Sequence, residues 1–296
     1  MEIKEGYIDY LEYKTYYRIV NPNGSKTPLL MLHGGPGSTH NAFEVLDDLA
    51  IEDDRPIVMY DQIGCGKSII DKNHQELWVK ETWVNELINL REKLGLEEIH
   101  LLGHSWGGML AIIYLTDYKP KGIKSVTLSS TLSSVKLWEE ETHRLVHLLD
   151  ENRKNIILEC ERKNDFTNPL MVEAMDYYFH KFVFGPWKEE IAPECLTRKR
   201  PDSSEAYQAA WGICEFHPTG TLKNYEYTDK LHLIKCPVMI FNGADDESTP
   251  YQNKVMYDNI ESMKEWHIYK NSRHMSYYEE HDLYKKNLIR FLNSWD

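Results

Sequence analysis

The sequence predicts an α/β protein: a mostly parallel, twisted sheet with helices on both faces, interrupted by a helical cap. Three observations predict it. Short, continuously apolar runs recur through the first 133 residues and read as strands buried on both faces. Between them lie segments whose apolar residues recur at spacings of three and four, the period of a helix packed on a sheet. After about residue 133 the alternation stops, and it resumes near residue 232.

Residues 7–20 alternate aromatic and polar side chains, with a polar break from Glu12 to Lys14, which predicts a hairpin or two edge strands whose tyrosines cover a sheet. The run Pro28-Leu29-Leu30-Met31-Leu32 is the first buried strand, followed by Ile57-Val58-Met59-Tyr60, Ile99-His100-Leu101-Leu102 and Ser125-Val126-Thr127-Leu128. A helix is predicted over residues 77–94, where Val79, Trp83, Leu87, Leu90 and Leu94 share a face. Strands and helices in alternation imply a parallel sheet joined by right-handed crossovers. Residues 134–231 are charged and helix-like, with large aromatics at Trp138, Tyr177, Tyr178, Phe179, Phe182, Phe184, Trp187, Tyr207 and Trp211. Structureless loops of such length are uncommon in compact domains, so this segment reads as a cap, with Tyr177, Tyr178 and Phe182 in its core. Strand grammar returns at Pro237-Val238-Met239-Ile240-Phe241-Asn242-Gly243, then a helix near 252–260, a strand over 265–269 and a terminal helix over 277–294. The organisation is a core segment 1–133, a cap 134–231 and a second core segment 232–296.

Composition narrows the function classes. Hydrophobic residues are 42% and aromatics 12%, far more than disordered chains carry. A net charge of -13 argues against a nucleic-acid partner, whose phosphates are bound by Lys and Arg. The five cysteines are odd in number and form no C-x-x-C pair, which suits reduced thiols and neither a disulfide framework nor a zinc knuckle. The opening Met-Glu-Ile-Lys-Glu-Gly-Tyr has no basic segment followed by an apolar one, and no apolar run approaches the roughly 18 to 20 residues of a membrane span. A cytoplasmic protein with no membrane partner is expected, its oligomeric state left open. His143-x-x-x-His147 has helical metal-ligand spacing but lacks the glutamate of an HExxH site; it reads as solvated helix surface, and no metal or cofactor is expected.

Gly103-His104-Ser105-Trp106-Gly107 carries the chemistry. G-x-S-x-G between a buried strand and a helix is the nucleophile elbow of the α/β-hydrolase fold, and here Ile99 to Leu102 supplies the strand and Met109 to Leu115 the helix. Glycines flank the serine because the turn is tight and its backbone strained. A serine hydroxyl is a weak nucleophile until a base takes its proton and a carboxylate orients that base. In this fold the order is Ser, acid, His. Only His267, His274 and His281 follow the last predicted core strands; His267 falls within a strand and His281 within the terminal helix, so His274, in the loop between them, is the candidate base. Gly243-Ala244-Asp245-Asp246-Glu247 offers the acid; Asp246 is favoured by its Gly-x-x-Asp spacing with Pro250 closing the loop, with Asp245 the alternative. His33-Gly34-Gly35-Pro36-Gly37 follows the first buried strand, where the fold places an oxyanion-hole donor. The candidate donors are the N–H groups of Gly35 and Trp106. Cys65 lies in a loop after a core strand, but the serine apparatus is complete without it, so it reads as non-catalytic.

His33-Gly-Gly-Pro-Gly37, Asp61-Gln62-x-Gly64-Cys65-Gly66-x-Ser68 and Gly103-His-Ser-Trp-Gly-Gly108 together resemble the proline iminopeptidases, including the tricorn-interacting aminopeptidase. The likeness extends through Gly243-x-x-Asp246-Glu247-x-x-Pro250 and His274. It implies release of an N-terminal residue, often proline, from short peptides or amino-acid amides. It also implies that glutamates bind the free amine, and the matching positions are Glu215 and Glu247. A desolvated ammonium needs an opposite charge, and such a contact fixes how deep the substrate slides. Without the resemblance Glu215 reads equally as a surface or cap-packing residue. Two other readings remain: an esterase, lactonase or amidase on the same triad with no amine requirement, and a non-catalytic binding protein of this fold. An aspartate would stand at Ser105 in an epoxide hydrolase or haloalkane dehalogenase.

Overall fold

The computed structural model describes residues 1–71, 73–185, 192–199, 201 and 204–296. Eight strands form one sheet: β1 (Ile3–Tyr10), β2 (Tyr13–Val20), β3 (Leu29–Leu32), β4 (Ile57–Tyr60), β5 (Ile99–His104), β6 (Ile123–Ser129), β7 (Val238–Gly243) and β8 (Lys264–Tyr269), in the order β1-β2-β4-β3-β5-β6-β7-β8. β1, β2 and β4 pair antiparallel, and every other neighbouring pair is parallel. Successive side chains on a strand point to opposite faces, which explains the continuous apolar runs. Leu30, Leu32, Val58, Tyr60, Leu101, Val126 and Ile240 fill one apolar layer. Leu29, Met31, Ile57, Met59, Leu102, Met239 and Phe241 fill the other.

The first layer is closed by α2 (Lys80–Lys93) and α3 (Trp106–Ile113), through Trp83, Leu87, Leu90, Met109 and Leu110. The second is closed by α1 (Asp47–Glu52), whose Leu49 and Ala50 point inward, and by the C-terminal chain with Tyr277, Tyr284, Leu288 and Phe291. Between β6 and β7 run α4 (Val135–Val146), α5 (Glu151–Lys163), α6 (Pro169–Phe182), α7 (Glu194–Thr197) and α8 (Ser204–Ala210). They enclose a separate apolar cluster that includes Val146, Ile157, Met171, Tyr178, Phe182 and Phe216. α9 (Pro250–Asn259), α10 (Ser276–Glu279) and α11 (His281–Asn293) complete the chain.

Several sequence expectations change in detail. The helix expected over 77–94 begins at Lys80, because Val79 is extended and Trp78 turns in to stack on Trp83 at 6.1 Å. The terminal helix expected over 277–294 breaks at Glu280, whose Oε2 accepts from the Asn271 N–H at 2.8 Å and the Ser272 hydroxyl at 2.7 Å. That break grips the loop carrying His274. Tyr178 and Phe182 lie in the cap core, but Tyr177 is exposed and lies under the Arg153 guanidinium at 4.0 Å. Trp187 lies outside the described residues. His143 is not merely solvated: its Nε2 meets the Glu161 carboxylate at 3.2 Å and its ring lies edge-on to Phe216, tying α4 to α5.

Candidate active site

The site begins where β5 meets α3. Ser105 has φ 55° and ψ -124°, a conformation that costs an L-residue roughly 1–3 kcal/mol and persists only when its surroundings enforce it. Here the Ser105 N–H donates to the Ser129 carbonyl at 3.0 Å, and the Ser105 carbonyl accepts from the Thr131 hydroxyl at 2.7 Å and the Gly108 N–H at 2.9 Å. The elbow glycines are required by contact. A Cβ on Gly103 would lie 2.3 Å from the Gly107 carbonyl oxygen, and one on Gly107 would lie 2.0 Å from that of Leu32. α3 therefore starts directly against the end of β3. Trp106 is its first residue, and an N–H there has no acceptor within its own helix and lies at the positive end of the helix dipole.

The loop after β3 comes equally close. A Cβ on Gly34 would sit 3.1 Å from the Ser105 Cβ, and Gly35 adopts φ +115°, where an L side chain is strained. Gly34, Gly35, His104, Ser105 and His274 all line one cavity of about 410 Å³.

β7 delivers the acid loop. Asp246 is 1% exposed; its Oδ1 accepts from the Ser248 N–H at 2.8 Å and meets His274 Nδ1 at 2.7 Å, and its Oδ2 accepts from the Gly243 N–H at 3.3 Å. Asp245, the alternative, is exposed and makes no such contact with His274 among the described residues. Two backbone donors hold the carboxylate in the orientation that steers an imidazole. The His104 ring lies 4.7 Å from that of His274. Burial, and after it the neighbouring His274, push the His104 pKa well below the ordinary range, leaving it a neutral packing partner.

Glu247 follows the acid at once. It is 4% exposed, yet it lines the cavity, and its Oε2 finds no hydrogen-bond partner among the described residues. Glu215 reaches the same cavity from the cap and accepts a short hydrogen bond from the Tyr207 hydroxyl. The indoles of Trp138 and Trp211 donate to the Glu215 carbonyl at 3.0 and 3.4 Å, fixing its backbone. Desolvation raises the pKa of both carboxyls, and for Glu247 the charges of Glu215 and Asp246 add to it. The cavity thus holds two desolvated carboxyls with no cation on them among the described residues. The cap wall is completed by Phe179, Val183, Phe184, Cys195, Leu196 and Tyr207. Cap and acid loop are joined where the buried Glu141 of α4 accepts from the Thr249 hydroxyl at 2.6 Å.

Sequence reasoning missed three neighbours: Tyr207 as the donor to Glu215, Trp138 as its backbone support, and Gln62, inside a motif already noted. Their types gave no local signal, since the partners lie 8, 77 and 44 residues away in sequence. Cys65 is buried, with burial raising its thiol well above the usual range. No group of three or more His, Cys, Asp or Glu converges as a metal site among the described residues, and no helix there is long and apolar enough to cross a membrane.

Fold and site define a hydrolase class, and comparison with known proteins agrees. Residues 27–281 match the α/β-hydrolase fold family. The chain is 50% identical over 297 residues to a proline iminopeptidase of Clostridioides difficile and 48% identical over 296 residues to one of Lactobacillus crispatus, each match covering 100% of both chains. Among solved structures, that of VinJ superposes with a TM-score of 0.89 at 29% identity, covering 99% of each chain. The crystal structure of a Mycobacterium smegmatis proline iminopeptidase gives 0.87 at 26% identity, covering 98% of each. The chain belongs to the proline iminopeptidase family of α/β hydrolases.

Proposed function

We propose that this chain is a serine aminopeptidase that releases N-terminal proline from short peptides and amino-acid amides through an acyl-enzyme on Ser105. One observation carries the reading: Ser105, the His274 held by Asp246, the half-buried Glu215 and the buried Glu247 open into one cavity of about 410 Å³. An ester or lactone has no use for two desolvated carboxyls. A protonated amine does, because a buried charge needs an opposite partner.

With His274 Nδ1 held by Asp246, Nε2 takes the Ser105 proton as the hydroxyl attacks the first peptide carbonyl. The oxyanion gathers on the N–H groups of Gly35 and Trp106, aimed where charge develops only in the transition state. His274 returns the proton to the leaving amine, and water repeats the sequence to free the amino acid. Glu215 and Glu247 hold the substrate amine one residue from the scissile bond, so a single residue is removed. The cap closes over this end and excludes long polypeptides. The five free cysteines fit a reducing, cytoplasmic setting.

The test is covalent. A fluorophosphonate should add one adduct, mapped by peptide mass spectrometry to the peptide containing Ser105, and abolish prolyl-arylamide hydrolysis. Labelling elsewhere with loss of activity, or full activity in Ser105→Ala, would overturn the assignment.

A further inference from the structure

The Asp61-Gln62-x-Gly64-Cys65-Gly66-x-Ser68 motif has no part in the chemistry above, yet it packs beneath it. Its loop leaves β4 and is tied down from several sides. Asp61 Oδ1 accepts from the His40 N–H at 2.9 Å and its Oδ2 from the Lys67 N–H at 2.8 Å. The Ser68 hydroxyl donates to the Asp61 carbonyl at 2.6 Å. From α2 the buried Glu86 accepts from the Ile63 N–H at 2.9 Å. These bonds hold a side chain that is completely buried, Gln62.

Gln62 uses both ends of its amide. Oε1 accepts from the Trp106 indole N–H at 2.8 Å, and Nε2 donates to the His33 carbonyl at 3.1 Å. Its backbone N–H donates to His33 Nε2 at 3.0 Å, while His33 Nδ1 bonds the Gly34 carbonyl at 2.8 Å. The imidazole tautomer is thereby fixed, and the ring becomes a second strut between the two loops. Trp106 and the His33-Gly34-Gly35 segment come from different parts of the chain. Gln62, fixed on a third, is bonded to both.

We propose that Gln62 is a positioning residue that sets the spacing and direction of the two oxyanion donors, the N–H groups of Gly35 and Trp106. The proposal rests on the assignment of those donors above. Oxyanion stabilisation is sensitive to such placement, because a donor acts at full strength only within about 2.7–3.1 Å of the developing charge. A side chain that braces both walls acts on the transition state and leaves the amine contacts of Glu215 and Glu247 untouched.

The test uses two variants of the full chain. Gln62→Met keeps the volume and removes both bonds. Gln62→Glu is informative in a different way. Protonated, its carboxyl offers one acceptor to Trp106 and one donor to the His33 carbonyl, as the amide does; ionised, it turns an oxygen against that carbonyl. The surrounding groups are the His33 imidazole, Asp61 with its His40 partner and Glu86 of α2. Burial and the ionised Asp61 favour the protonated form. Three quantities are compared with wild type from pH 6 to 9: kcat and KM on a prolyl arylamide, the affinity for a prolyl boronate, which forms a tetrahedral adduct on the serine, and the affinity for free proline. For Gln62→Met, kcat and boronate affinity should fall about 10- to 100-fold at every pH, less than the roughly 10²- to 10³-fold of deleting a donor because the donors are displaced and not removed, with KM and proline affinity within about twofold. For Gln62→Glu the same loss, taken relative to wild type, should grow as pH rises. Boronate affinity unchanged in both variants, or losses that track proline affinity, would overturn the positioning role. Failure of the boronate to inhibit wild type would instead remove the Ser105 and oxyanion assignment on which it rests.

Discussion

Replacing Glu247 by glutamine preserves the shape of a side chain 4% exposed and removes its charge. In the free protein the substitution relieves strain, because burial, Glu215 and Asp246 all push the Glu247 carboxyl above the ordinary range. Stability should hold or rise. In the proposed complex the same change weakens a charge-assisted hydrogen bond to the substrate amine, worth about 1.5–3 kcal/mol. At about 1.4 kcal/mol per tenfold change, kcat/KM on a prolyl arylamide should fall about 10- to 150-fold. The amine contact exists in ground and transition states alike, so most of the loss should appear in KM. The assay pairs that arylamide with a simple aryl ester lacking an amine, alongside a thermal melt. An arylamide rate unchanged by Glu247→Gln, or an equal fall on both substrates, would refute the amine-anchor reasoning.

The two acid candidates separate cleanly: Asp246→Asn should lower kcat about 10⁴-fold by losing the oriented histidine, while Asp245→Asn, at an exposed position, should leave steady-state kinetics within about twofold, as surface substitutions generally do. Gly107→Ala places a Cβ 2.0 Å from the Leu32 and 2.8 Å from the His33 carbonyl oxygen; both are backbone atoms, so denaturant unfolding should show a loss of about 1–3 kcal/mol or more, and unchanged stability would contradict the close packing of α3 on β3. Burial raises Glu86 from 4.5 to about 8. The folded protein therefore keeps a proton that the unfolded chain gives up near 4.5, and stability falls as pH rises from there to about 8, by up to about 1.4 kcal/mol per unit. Glu86→Gln, which keeps neutral bonds to Thr15 and Ile63, should flatten that slope in melts recorded from pH 5 to 8; parallel wild-type and variant profiles would count against it.

Much of this was legible in the chain because it is local. Continuous apolar runs mark β3 to β7 since both sheet faces are covered, and the elbow's glycines are spaced by a turn that admits no Cβ at Gly103 or Gly107. The order of Ser105, Asp246 and His274 follows from which loops leave the strand ends on one edge. The choice between Asp245 and Asp246 needed three dimensions, because adjacent residues on a turn point opposite ways and only one reaches the imidazole. Gln62 was harder still: its meaning lies in two bonds made 29 and 44 residues away in sequence. The break at Glu280 was invisible for the same reason, as its partners Asn271 and Ser272 precede it by a loop. Tyr177 fits the helical pattern of the cap core, yet it faces outward beneath Arg153.

The most direct measurement compares hydrolysis of L-prolyl arylamide with its N-acetylated form, using Ser105→Ala as the blank. The expected result is turnover of the free secondary amine, a rate at least about 100-fold lower once acetylation removes the charge proposed to sit on Glu215 and Glu247, and neither reaction in the blank. Equal rates on the two substrates would contradict it.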